Sequence, residues 1–171
     1  MGIFLLAVTL INPNVGIAGF LATLSAHLFA RFIHLDPSYM ESGFFTYNPL
    51  LVGLSIGYLF ELTPLSIFFV VTAGISAIIV TTMLNSIFSY YFKLPILSIP
   101  FVLVSSTAYL AASKYSNLFT QYLYPRVTDL LQLQMPYWIA GYLKSLGAIF
   151  FIPDVWGGLI LAILILLASR I

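Results

Sequence analysis

The sequence predicts an all-α membrane protein with several spanning helices, and three observations predict it. First, 61% of the 171 residues are hydrophobic and only 6% are charged, whereas soluble domains carry about a quarter charged residues. So few charges cannot cover a water-facing surface. Second, apolar runs of spanning length recur along the chain, and a helix needs about twenty residues to cross the hydrocarbon core. Third, two further apolar segments fall short of that length and are interrupted by Pro or Gly. Transporters use such segments as half-helices that end inside the bilayer.

The elements follow in chain order. Residues 2–11 are apolar but too short to span alone, since a span takes about twenty residues. They lack the basic leader and small-residue cleavage site of a signal peptide, and read as the tail of a helix, which predicts an N-terminally incomplete sequence. Asn12-Pro13-Asn14 is turn chemistry. Residues 15–33 form a full span, with Gly16 and Gly19 one turn apart on a face where backbones can approach closely. A first polar loop, 34–45, holds Asp36 and Glu41. Residues 47–60 are apolar and short, with Pro49 near the start. The run 64–92 is long enough to span with tilt. Residues 95–112 make another span, interrupted by Pro100. The most polar stretch, 113–135, carries Lys114, Arg126 and Asp129, and reads as interfacial or as an ordered loop. Residues 136–152 form the second short segment, containing Gly141, Lys144 and Gly147. After the break Pro153-Asp154, residues 155–169 begin a last span ending at Arg170. The two short segments, 47–60 and 136–152, read equally as half-helices or as kinked ordinary helices. A faint internal repeat links Gly2-Ile-Phe-Leu-Leu-Ala-Val to Gly158-Leu-Ile-Leu-Ala-Ile-Leu, about 156 positions apart, the kind of internal symmetry transporters show.

Several chemistries are excluded or disfavoured. Six basic and five acidic residues give a formal charge of +1, without the clustered Lys and Arg that nucleic acid requires. The absence of cysteine removes disulfides, thiolate catalysis and Cys-type metal sites. There is no Gly-rich phosphate loop and no Ser-His-Asp grouping, so neither an enzyme nor a cofactor is expected. His27 and His34 are seven positions apart, but no third metal ligand is nearby. His27 reads as a polar residue bonded to a neighbouring helix, and His34 as interfacial. Aromatic residues reach 16%; interfacial belts account for most of them, and the rest are open to a site. Ion coupling normally needs an intramembrane carboxylate. Asp36, Glu41, Asp129 and Asp154 fall in breaks or loops, which favours a passive path for a neutral solute. Glu61, at the end of an apolar segment, is the exception to watch.

Three stretches together resemble the urea transporter family. Tyr47-Asn48-Pro49-Leu50-Leu51-Val52-Gly53-Leu54 is similar to the family's Tyr/Phe-Asn-x-x-Leu-Val-Gly segment. Leu94-Pro95-Ile96-Leu97-Ser98-Ile99-Pro100-Phe101 is similar to Leu-Pro-x-x-Thr-x-Pro-Phe. Lys144-Ser145-Leu146-Gly147-Ala148-Ile149-Phe150-Phe151 resembles the re-entrant pore helix. The resemblance covers essentially the whole chain. It implies an inverted-repeat fold of five spanning helices and a re-entrant pore half-helix per repeat, assembled as a homotrimer in the cell (inner) membrane. On that frame residues 1–135 hold first-repeat helices and a polar connecting loop. Residues 136–171 hold a pore helix and the first helix of a second repeat, so the chain is a fragment of its parent.

The resemblance also implies a mechanism. Urea is small, planar and neutral, and stripping its water costs several kcal/mol unless polar groups replace it. Stacked aromatic slots admit flat molecules, and half-helix ends and hydroxyls supply hydrogen bonds along a narrow path. Carried over by position, Tyr47 and Phe151 match slot aromatics, Leu51 and Ile149 match slot walls, and Ser98 matches the central Thr. Ser98 keeps the hydroxyl and loses a methyl. Ala148 stands where relatives carry Gln or Glu, which removes a polar partner for the urea amide hydrogens. The expected function is facilitative, channel-like transport of urea or a similar small neutral amide. The alternatives are a proton-coupled transporter using Glu61, and a non-transporting truncated subunit, because one repeat alone does not enclose the pore.

Overall fold

The computed structural model describes residues 12–35, 44–113 and 136–168, and every regular element among them is helical. In chain order these are α1 (Pro13–Phe32), α2 (Phe44–Leu59), α3 (Pro64–Ile87, continued by a π-helical turn Phe88–Phe92), α4 (Ile99–Ala112), α5 (Tyr137–Ala148) and α6 (Val155–Ala168). The apolar stretch 2–11, the carboxylates Asp36, Glu41 and Asp129, the bases Lys114, Arg126 and Arg170, and the polar stretch 114–135 lie outside the described residues.

Local chemistry sets the helix starts. Asn12 caps α1 by accepting from the Val15 N–H, and Pro13 follows at a position where a missing N–H costs nothing. Thr63 caps α3 in a reciprocal pair with Ser66, each side chain bonding the other's backbone N–H. The Ser66 hydroxyl also donates to the Glu61 carbonyl at 2.6 Å. Helix α4 begins later than the sequence suggests. Pro95 and Pro100 disfavour helical backbone just before themselves, and Leu97 takes a left-handed φ of 45°. The helix therefore starts at Ile99, with Pro100 in its first turn. His34 lies past the end of α1 at φ 53°, so the seven-residue spacing does not place it on that helix with His27.

Helix α1 has 20 residues, or about 30 Å at 1.5 Å per residue, the thickness of the hydrocarbon core. The α3 run through its π turn has 29 residues, long enough to cross with tilt.

Small residues bring the helices together. Ala18, Ala22, Ala26 and Ala30 lie one turn apart along α1 and are all buried. Gly53 and Gly57 of α2 face this row. A Cβ on Gly53 would stand 2.6 Å from both the Ala18 carbonyl and the Ala22 Cβ, and one on Gly57 would stand 2.6 Å from the Ala18 Cβ. On the other side, a Cβ on Gly74 of α3 would stand 2.5 Å from the Ala22 carbonyl. One alanine row thus packs against two helices. At Gly19 the helix backbones do approach closely, since a Cβ on Gly53 would stand 2.8 Å from the Gly19 Cα. In lipid no hydrophobic force drives helices together, so close van der Waals fit must supply the attraction. Val104, Ala108 and Ala112 of α4 extend the same core, again four residues apart. The outer faces carry large exposed apolar side chains, among them Phe20 and Leu28 on α1 and Phe68 and Met83 on α3.

Helices α5 and α6 pack on each other. Gly147 and Gly158 permit it: a Cβ on Gly147 would run into the Ile152 carbonyl, and one on Gly158 into the Leu143 carbonyl.

Candidate functional site

Two chain breaks converge beside α2. The first is 93–98, between the α3 run and α4; the second is 149–154, between α5 and α6. Helix α2 offers them one face. Tyr47, Leu51, Leu54 and Tyr58 recur at four-, three- and four-residue steps, the repeat of a single helix stripe. All four join one apolar cluster with Val15, Leu50 and Ile152, and Phe101, Phe150 and Phe151 pack against it.

Phe151 enters the cluster because α5 ends abruptly. The Phe150, Phe151 and Ile152 N–H groups bond back to the Gly147, Ala148 and Gly147 carbonyls at 3.0, 3.1 and 3.0 Å. Phe151 itself sits in the left-handed region at φ 62°, which glycine normally occupies at a helix C-terminus. Its ring centroid lies 5.9 Å from Tyr58 and 6.1 Å from Phe101. These contacts are the interactions set against the backbone strain.

The first break is held by an asparagine. Asn48 is fully buried in α2. Its Nδ2 donates to the Leu97 carbonyl at 3.1 Å, and its Oδ1 accepts from the Phe101 N–H at 3.3 Å. A buried amide in an apolar helix needs such partners, because leaving it unbonded costs several kcal/mol. Between the two bonds lies Ser98. It occupies the N-cap position of α4, is exposed, and its hydroxyl makes no capping bond.

The structure therefore brings Tyr47, Leu51 and Phe151 into one cluster. Ser98 is tied to the same helix through Asn48 and lies three residues before Phe101. Ile149 is not brought in: it is 55% exposed and outside the cluster. Ala148, at the position of the missing polar group, is the last residue of α5 and is also exposed. Asp154, in the second break, is within electrostatic range of Tyr58 and Lys144. Glu61 is exposed in the turn between α2 and α3.

Sequence reading missed Asn48, Tyr58 and Phe101 as members of this region. Signals for all three were present. Tyr58 continues the Tyr47–Leu51–Leu54 stripe by one more turn. Asn48 is a polar residue inside an apolar helix, which by itself demands a partner. Phe101 closes the Leu-Pro-x-x-Thr-x-Pro-Phe segment, but its contact with Phe151 depends on how α4 starts.

Comparison with known families adds an independent line. A family model described as "Urea transporter" matches residues 1–171, the whole of the sequence. Spanning-length apolar helices, two chain breaks meeting beside an aromatic stripe and a match along the entire sequence agree: the chain belongs to the urea transporter family, whose members are membrane transporters and not enzymes.

Proposed function

We propose that the protein provides a facilitative, channel-like path for urea, or a similar small neutral amide, across a cell (inner) membrane. The convergence of Tyr47, Leu51 and Phe151 with Phe101 and Tyr58 at two chain breaks carries the reading. A flat neutral solute can lie against aromatic faces, and broken helices offer it unpaired backbone groups where intact ones do not. In this reading Tyr47 and Phe151 form slot faces and Leu51 forms a wall, while the exposed Ile149 lies outside the slot. The Ser98 hydroxyl supplies a hydrogen bond that replaces part of the lost hydration.

Helix α5 is the re-entrant pore helix. Its 12 residues extend about 18 Å, well short of the ~30 Å hydrocarbon core, and the chain then turns back along α6. A homotrimer, each subunit with its own pore, is the assembly that goes with this arrangement.

Proteoliposomes of the intact protein test the proposal. In an inward urea gradient they should shrink and re-swell rapidly by stopped-flow light scattering. Re-swelling no faster than in empty liposomes rejects it.

A further inference from the structure

We propose that Asn48 is a positioning residue for the solute path: it caps α4 in place of Ser98, and so leaves the Ser98 hydroxyl free for the solute. This rests on the role given to Ser98 above.

A serine at a helix N-cap ordinarily turns its hydroxyl inward and accepts a hydrogen bond from the N–H two or three residues on. For Ser98 those residues are Pro100 and Phe101. Pro100 has no N–H to give. The Phe101 N–H is already taken by Asn48 Oδ1 at 3.3 Å. The observed Ser98 accordingly makes no side-chain capping bond and stays exposed. Asn48 does not hold this geometry by one bond alone. Its Nδ2 grips the Leu97 carbonyl at 3.1 Å, which fixes the left-handed residue immediately before Ser98. The backbone on both sides of the serine is thus pinned by one buried amide from another helix. Ile99 and Val102 bond back to the Ile96 and Ser98 carbonyls, so the first turn of α4 offers the Ser98 hydroxyl no other evident N–H to cap. Two features from separate parts of the sequence, Asn48 and Pro100, converge on the same result.

Without Asn48 Oδ1 the Phe101 N–H, at the third helical position after Ser98, is open to capping by the Ser98 hydroxyl, and the solute then loses that hydroxyl. The same follows if Pro100 is replaced by a residue with an N–H. The test is urea flux in proteoliposomes of the intact protein carrying Ser98→Ala, Asn48→Ala, Asn48→Asp, Pro100→Ala and the double variants with Ser98→Ala.

The expected result is that Ser98→Ala and Asn48→Ala each lower urea flux about tenfold, the scale of one lost hydrogen bond at a desolvated site. The Asn48→Ala/Ser98→Ala pair should be no slower than either single change. Asn48→Asp keeps the acceptor and should recover part of the flux. Equal losses from Asn48→Ala with and without the serine hydroxyl would show that Asn48 only holds the fold, and would overturn the inference. Wild-type flux in Asn48→Ala, with Ser98→Ala slow, overturns it while leaving the role of Ser98 standing. Wild-type flux in Ser98→Ala removes the role of Ser98 and the inference with it. If Asn48→Ala does not fold, Pro100→Ala decides. A loss that disappears in the Ser98→Ala background supports the inference, and unchanged flux overturns it.

Discussion

Phe151 shows how a single residue can set stability against function. Its left-handed backbone costs a residue with a Cβ roughly 1–2 kcal/mol, which glycine would not pay. The ring meets Tyr58 and Phe101, so the position keeps an aromatic where a helix end would otherwise take glycine. Phe151→Gly should therefore be more stable than Phe151→Ala by about 1 kcal/mol, against the usual order inside helices. Both should slow urea flux alike. Thermal unfolding in detergent beside stopped-flow permeability separates the two effects. Asn14 is the second residue on which much depends. Its Nδ2 donates to the Gly57 and Phe60 carbonyls, and its Oδ1 accepts from the Leu62 N–H. It thereby fastens the start of α1 to the end of α2. Asn14→Ala leaves those groups without this partner and should cost about 2–3 kcal/mol, read as a lowered unfolding midpoint.

At the scale of elements, the α1–α2 contact depends on residues that lack bulk. Gly53 sits where even a methyl group would meet the α1 backbone at 2.6 Å. Gly53→Val must push the helices apart, and because tight fit is the attraction between helices in lipid, the loss is not confined to one contact. The variant should lose its monodisperse size-exclusion peak, while Gly141→Ala, at an open position on α5, should keep it. The α3 start is milder. Thr63→Ala breaks the reciprocal Thr63–Ser66 pair and should destabilise by about 1 kcal/mol, without changing which solutes pass.

For the whole molecule, the question is what drives flux. The carboxylate singled out for proton coupling, Glu61, is exposed in the α2–α3 turn and not among the residues of the aromatic cluster. Urea flux should accordingly be the same with and without a pH gradient, and Glu61→Gln should not change it. Uptake that follows the proton gradient and vanishes in Glu61→Gln would replace the passive reading with a coupled one. A flat slot also predicts that urea crosses faster than ethylene glycol, which has as many non-hydrogen atoms but is not planar. Equal rates would mean that the aromatic faces do not select.

The amino-acid order by itself determined that this chain lives in lipid, where most of its helices run and that it is a urea transporter relative. Composition and apolar run length report the solvent directly, and the three family-like segments are continuous in sequence. It also marked Tyr47, Leu51 and Phe151, which the fold gathers into one cluster. Tertiary structure alone decided three other matters. It placed Phe101 beside Phe151, because that contact joins α4 to the turn after α5 across some fifty residues of chain. It left Ile149 exposed, because the left-handed turn at Phe151 sends neighbouring side chains in different directions. And it gave the Phe101 N–H to Asn48 and not to Ser98. Sequence can show that a serine stands before a helix, but which acceptor reaches an amide first is a matter of distances between helices, and only packing sets those.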